Sequence, residues 1–229
     1  QSEGFTHHAT WDFKHTAPEQ YPLLLHFPYF DLYRKQVVKQ ADLVLALHLR
    51  GEEFTREQKD RDFCYYEALT VRDSSLSAAT QAVMAAELGY LELAHDYLAE
   101  AALMDLEDRN HNTRDGLHMA SLAGAWSGLV EGLGGMRALD GRLSFAPRLP
   151  AGISHLAFRV WYRGTCVGVS TDGRTARYRR NEGPPLTVLH HGETVDLEDE
   201  EVERPIEPIG PRPRPRQPRG REPERRGQV

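Results

Sequence analysis

Apolar residues recur at three- and four-residue steps through the first half of the chain, and at two-residue steps through much of the second. Over Gln36 to Arg50, the residues Val37, Val38, Ala41, Val44, Leu45 and Leu49 share one side of a predicted helix, and Gly51 is a natural stop. Ser77 to Leu88 and Glu92 to Leu106 predict a helical hairpin broken at Gly89, with Leu93, Tyr97, Leu98, Ala101 and Met104 striping its second arm. Met119 to Leu133 predicts another helix. Its Ala120, Ala123, Gly124, Ala125 and Gly128 permit close approach of a neighbour, and Gly132, Gly134 and Gly135 end it. Residues 1–34 are rich in aromatics and His and carry Pro18, Pro22 and Pro28 as breakers, so they predict irregular chain wrapped around the helices.

Past Arg137 the period shortens to two. Leu143 to Phe145, Leu156 to Tyr162 and Cys166 to Val169 read as strands, and Arg174 to Arg180 and Leu186 to Leu197 add two more. Asp140-Gly141, Arg163-Gly164 and Asp172-Gly173 are hairpin-type turns, so the expectation is a small antiparallel β domain. From about Glu198 the apolar positions run out. Arg204 to Val229 holds seven of the chain's fourteen Pro, and its Pro-Arg repeat favours polyproline geometry. So little apolar surface cannot offset the entropy of ordering, which predicts a disordered tail.

The formal net charge of the 229 residues is −6, unevenly spread: the last 26 residues carry eight Arg against three Glu, leaving −11 on the rest. An acidic ordered part argues against nucleic acid as a partner. No apolar run reaches the ~18 residues that cross a membrane, and no basic leader precedes an apolar core. Cys64 and Cys166 lie far apart and read as reduced thiols of a cytoplasmic protein. His7, His8, His15 and His26 lack the i,i+4 spacing beside a carboxylate that a helical zinc site needs, so no metal is expected. The opening Gln1-Ser2-Glu3, without Met, suggests a segment of something longer.

Two polar runs carry the candidate chemistry. Between the anchors Tyr65, Tyr66, Leu69, Val71 and Leu76 stand Glu67, Thr70, Arg72, Asp73, Ser74 and Ser75. A buried polar group without a partner costs roughly 1–3 kcal/mol, so this is neither core strand nor flexible linker. It suits a rigid loop that holds polar groups in a pocket, and adjacent hydroxyls beside a cation suit an oxyanion such as phosphate. The second run, Asp108 to His118, leads into the helix at Met119, whose amino end adds free amides and partial positive charge. Plainer roles stay open on the residues alone. Lys39 and Gln40 also read as a solvated helix edge, Glu67 as an ion-pair partner, Asp73 to Ser77 as a helix cap, and His118 as a core histidine.

Six blocks, in order over roughly residues 35 to 165, resemble the carboxyl-terminal portion of glycoside hydrolase family 65, the maltose, kojibiose and trehalose phosphorylases. They are Val38 to Asp42, Tyr65 to Ser77, Ala85 to Gly89, Asn112 to Trp126, Gly134 to Arg137 and Leu143 to Pro150. The resemblance implies an α+β multidomain fold: carboxyl-terminal helices of an (α/α)6 barrel over residues 1–137, a small β-sandwich domain over 138–200, then the disordered tail over 201–229. It implies inverting phosphorolysis of an α-linked glucose disaccharide to β-glucose 1-phosphate and glucose, with inorganic phosphate as co-substrate and no cofactor. By the same resemblance Lys39, Gln40 and Glu67 line the glucose subsite, Ser74, Ser75 and His118 hold phosphate, and a homodimer is one assembly to expect. The general-acid Glu is expected upstream, so no catalytic residue is assigned here and the chain alone is expected to be inactive. Ala68 stands where the family commonly has Pro, which loosens the loop without removing a polar group. Alternatives are hydrolysis of trehalose or a related α-glucoside, and a non-catalytic carbohydrate-binding remnant.

Overall fold

The structure is a computed structural model that describes residues 3–226. Its helical part is built on α1 (Asp42–Leu49), α2 (Arg56–Glu67), α3 (Ser77–Leu88), α4 (Leu91–Ala102) and α5 (Met119–Ser127). Helix α2 was not expected, because its charged sequence buries only Phe63, Tyr66 and Glu67. A capping box starts it: Gln58 N donates to Thr55 Oγ1 at 3.2 Å, and Thr55 N donates to Gln58 Oε1 at 2.8 Å.

Helix α1 begins six residues later than the periodicity of Gln36 to Arg50 implies. Val38 instead runs beside the loop after α2, bridging Thr70, and the chain bends at Lys39 and Gln40 before α1. Val38 N donates to Leu69 O at 2.9 Å, Val71 N to Val38 O at 2.9 Å, and Asp73 N to Lys39 O at 3.0 Å. Lys39 and Gln40 are therefore in the bend that follows this bridge, not on a helix. The backbone partners offered by Leu69 to Asp73 outweigh the local helical pattern.

Helix α3 is the centre of the helical core, with ten of its twelve residues buried. Gly89 ends it in the left-handed region at φ 90°. Its alanines accept close neighbours, as expected. A Cβ added to Gly124 of α5 would lie 2.4 Å from the Ala79 Cβ. The helix expected over Met119 to Leu133 changes character part-way: α5 closes at Ser127, and Gly128–Leu133 continues as π-helix.

Two four-stranded sheets follow, formed by β1 (Arg137–Leu139), β2 (Arg142–Phe145), β3 (Leu156–Tyr162), β4 (Thr165–Thr171), β5 (Thr175–Glu182), β6 (Leu186–His190), β7 (Glu193–Leu197) and β8 (Val202–Pro205). One sheet has the order β8-β5-β4-β3 and the other β1-β2-β6-β7. Every neighbour pair is antiparallel except β2 with β6. Leu186 to Leu197, expected as one strand, is a hairpin turned at His191 (φ 48°) and Gly192 (φ 91°). Phe145, Val167, Tyr178, Val188, Val195 and Leu197 fill the space between the sheets. There the Tyr178 hydroxyl meets His190 Nδ1 at 2.7 Å, and His190 Nε2 donates to Pro205 O at 3.1 Å.

The expectation of disorder after residue 200 is corrected as far as residue 226; residues 227–229 lie outside the described residues. Val202–Pro205 is a sheet strand, and residues 206–226 return as an extended strap across the helices. Ile206 is buried in the sheet core. Arg212 pairs with Asp60 at 2.9 Å, Arg221 pairs with Asp73 at 3.1 Å, and Arg214 contacts Asp96. Gln217 Nε2 donates to Tyr97 at 2.6 Å and to Glu67 Oε2 at 3.0 Å. Composition counted only apolar burial. The strap is instead held by ion pairs to two buried acids, Asp73 and Asp96, and the partly exposed Asp60, on a Pro-rich backbone that is already extended.

Candidate functional site

The pairing of residues 38–39 with 69–73 sets two segments of the site side by side. Lys39, Gln40 and Asp73 line a cavity of about 680 Å³ together with Tyr29, Tyr33 and Asp42. Gln40 Nε2 donates to Asp42 Oδ1 at 2.6 Å. The Asp73 side chain is 2% exposed, and its Oδ2 accepts Leu23 N at 2.7 Å. Burial raises its pKa, against the pull of the Leu23 amide and of Arg221 and Lys39.

Glu67 sits deeper, at the carboxyl end of α2. Its Oε2 accepts the Tyr97 hydroxyl at 2.6 Å and Gln217 Nε2 at 3.0 Å, and its Oε1 accepts Gln81 Nε2. Burial pushes its carboxyl up, and pushes the Tyr97 phenol well up too. In this arrangement Glu67 is a core acid with both oxygens engaged, and it does not line the Lys39 cavity.

Ser75 lines a separate cavity of about 330 Å³ with Arg72, Arg109 and Arg221. Arg72 adopts φ 54°, which turns its side chain inward, and its guanidinium grips Glu100 at 3.0 and 3.2 Å. It also lies 5.0 Å from the Tyr97 ring centroid. Burial works against its charge but is outweighed by Tyr97 and Glu100. Arg72 Nη1 and Arg109 Nε are both buried without a hydrogen-bond partner. Glu100, Glu222 and Glu224 line the same cavity, and the Arg109 guanidinium pairs with Glu107 and with Glu224 at 3.2 Å, so the two unanswered nitrogens offer an oxyanion donors beside resident acids. Ser74 does not line this cavity; its Oγ accepts Leu76 N at 3.4 Å, at the start of α3.

His118 caps the turn before α5. Its backbone N donates to Asp105 Oδ2 at 2.9 Å, and its Nδ1 meets Asp105 Oδ1 at 2.6 Å. A carboxylate only accepts, so Nδ1 carries the donated proton. The bond to His118 holds the Asp105 carboxyl below the usual range. His118 is not among the residues that line the Ser75 cavity. Thus Lys39 and Gln40 are brought together, Ser75 and His118 are not, and Glu67 is turned into the core. Sequence reasoning noted Arg72 as a cation beside the hydroxyls without assigning it to the site, and gave no role to Arg109 or Asp105. Arg72 was open to discovery, since it is the cation inside the hydroxyl-rich run. Asp105 was not, because its link to His118 spans 13 residues across a turn.

Two family models align with the chain. The glycosyl hydrolase family 65 central catalytic domain matches residues 1–127, and the family's C-terminal domain matches residues 136–197. The chain belongs to glycoside hydrolase family 65. An uncharacterised glycosyl hydrolase of Mycobacterium leprae is 53% identical over 97% of the chain, and the chain covers 28% of it. The α,α-trehalose phosphorylase of Thermoanaerobacter brockii is 40% identical over 80% of the chain, and the chain covers 24% of that enzyme. A solved structure assigned as a kojibiose phosphorylase from the human microbiome superposes with TM-score 0.85 at 27% identity, over 91% of this chain and 31% of the other. The chain thus spans 24–31% of the length of these relatives.

Proposed function

We propose that these 229 residues are the carboxyl-terminal part of an inverting α-glucoside phosphorylase. The parent would convert an α-linked glucose disaccharide and inorganic phosphate to β-glucose 1-phosphate and glucose. Residues 1–137 would close the catalytic barrel, and residues 138–200 would form its appended β domain. Lys39 and Gln40 bind glucose hydroxyls. Ser75 holds phosphate at its cavity with Arg72 and Arg109 as further donors, and Ser74 and His118 complete the cradle only if the rest of the parent barrel brings them to it. Glu67 joins the sugar site only once Gln217 leaves its Oε2, so in the strapped chain it is silent. The general acid stands outside these residues, and the segment alone does not turn over substrate.

The observation that carries this reading is the Ser75 cavity, where two buried guanidinium donors have no partner. A surface left open on α5 supports membership of a larger barrel: Met119, Leu122 and Trp126 share one side and are 69%, 40% and 50% exposed. Hydrolysis is the second reading, favoured by the name "glycosyl hydrolase" carried by the mycobacterial relative. The test is steady-state kinetics on the full-length parent. Ser75→Ala and His118→Ala should each raise the phosphate KM about tenfold or more at saturating disaccharide, as expected for charge-assisted bonds. Lys39→Ala should raise the disaccharide KM instead. Unchanged phosphate dependence in both variants overturns the cradle, and full turnover without phosphate makes the parent a hydrolase.

A further inference from the structure

We propose that the junction between the helices and the sheets is a second anion site, in which Arg56, Lys59, Arg137 and Arg148 receive a phosphate or phosphate-monoester dianion. The four cations line a cavity of about 400 Å³ that includes none of the residues assigned to sugar or phosphate above. They converge on the end of α3 from three directions. Lys59 Nζ meets Glu87 Oε1 at 2.6 Å, and Arg137 Nη2 meets Glu87 Oε2 at 2.5 Å. Arg56 donates to the Glu87 and Leu88 carbonyls at 3.3 and 3.1 Å, and Arg148 Nη1 donates to the Glu87 carbonyl at 3.1 Å.

The plain alternative is that these cations merely cap the helix, and a charge count decides against it. The end of a helix carries about half a negative charge. Glu87 adds one, and its carboxyl is held low by Arg137 and Lys59 against the effect of burial. Glu52 also lines the cavity but is paired with Arg50 at 3.3 Å. Asp60 lies near Arg56 but is paired with Arg212 at 2.9 Å, and Glu131 lies near Arg137 and His48, neither acid lining the cavity. Within the cavity four cations therefore face roughly one and a half negative charges, with Glu131 drawing on part of the charge of Arg137. His191 adds no charge, because burial and Arg148 push its pKa down to about 4. Arg148 makes no ion pair among the described residues, and its Nε is buried with no hydrogen-bond partner. A surplus near two, with a guanidinium edge open, matches a tetrahedral dianion better than a single carboxylate. The backbone of Gly135 and Gly192 completes the wall and leaves room for the ligand.

The experiment is titration of the ¹⁵N-labelled chain at low ionic strength, first with inorganic phosphate and then with glucose 6-phosphate, following the Gly135 and Gly192 amides. Saturable shifts of both amides are expected. Arg148→Gln should weaken the midpoint about tenfold or more, and Glu87→Gln should tighten it several-fold by removing the resident competitor. Arg148→Lys, which keeps the charge, should fall between and covers the case in which Arg148→Gln does not fold. Tighter binding of glucose 6-phosphate makes the ligand a monoester; equal binding makes it inorganic phosphate. Absence of saturable shifts at these amides up to tens of millimolar overturns the site, as does an Arg148→Lys midpoint equal to wild type together with no gain in Glu87→Gln.

Discussion

Replacing Arg214 with Ala asks directly whether the strap is part of the fold. Asp96 of α4 is 1% exposed, and among the described residues Arg214 supplies its only charged side-chain partner while the Arg226 amide donates to Oδ1 at 2.7 Å. Removing one member of a buried pair costs roughly 3–5 kcal/mol when the other is stranded. Arg214 is 24% exposed, so water reaches Asp96 once the guanidinium is gone, and about 2–3 kcal/mol is the better figure. For a domain of this size each kcal/mol moves Tm by about 2–4 °C, so Arg214→Ala should melt roughly 4–12 °C lower. The loss has a ceiling, because the strap can lift before the helices unfold. Lifting would expose Arg216 and Arg219, neither followed by Pro, to trypsin while far-ultraviolet circular dichroism stays unchanged. A double-mutant cycle with Asp96→Asn should then show coupling of about 1.5–3 kcal/mol. If Arg214→Ala changes neither the melting curve nor tryptic cutting, and the cycle is additive, the strap is not docked as described.

Gly124→Ala should cost about 1–3 kcal/mol in denaturant unfolding, because its new Cβ would press on Ala79 at 2.4 Å; an unchanged midpoint would mean α5 stands off from α3. His190 gives a pH test. Burial lowers its folded pKa below 6.5, helped by Arg204 and opposed by the bond to Pro205 O and by Glu193. Its Nδ1 accepts from Tyr178 and His191 stacks edge-on against it, so the imidazole is held neutral. The unfolded chain takes up the proton first as pH falls. Stability from this group is thus complete above pH 6.5 and declines below it toward the folded pKa. His190→Gln should flatten the wild-type loss of stability between about pH 6.5 and 5; parallel curves for the two proteins would refute the assignment.

Where local pattern and tertiary contact agreed, the sequence was readable. The alanine-rich α3, the Gly89 break and the close approach of α5 all follow from residue size and period. The paired positive φ values at Asp140-Gly141 and Arg163-Gly164 are what those dipeptides supply. Lys39 and Gln40 were misplaced because their helical spacing is real but yields to backbone pairing with residues 69–73. Helix α2 was hidden by its charge, although Thr55 and Gln58 announce it. The candidate site was legible in residue type and not in depth. Nothing local says that Glu67 faces Tyr97 and Gln81 while Lys39 faces an open cavity. The strap was misread because the acids that hold it, Asp60, Asp73 and Asp96, lie more than a hundred residues away.

The returning strap also decides how the molecule would bear a load. The chain leaves the helices near Gly134, builds both sheets, and comes back to end against Asp96 and Glu107. The described carboxyl end is therefore moored to the helical part, and the sheets hang as a loop between it and Gly134. A pull applied at residues 3 and 226 would not reach β8 at first. It would unpeel Arg226, then Arg221, Gln217, Arg214 and Arg212 in turn, each contact taking the whole force alone. Only after Ile206 comes free would tension pass into the strands. The β part is thereby sheltered by a sacrificial cable, and an optical-trap record should show small rips from the strap before the sheet gives way.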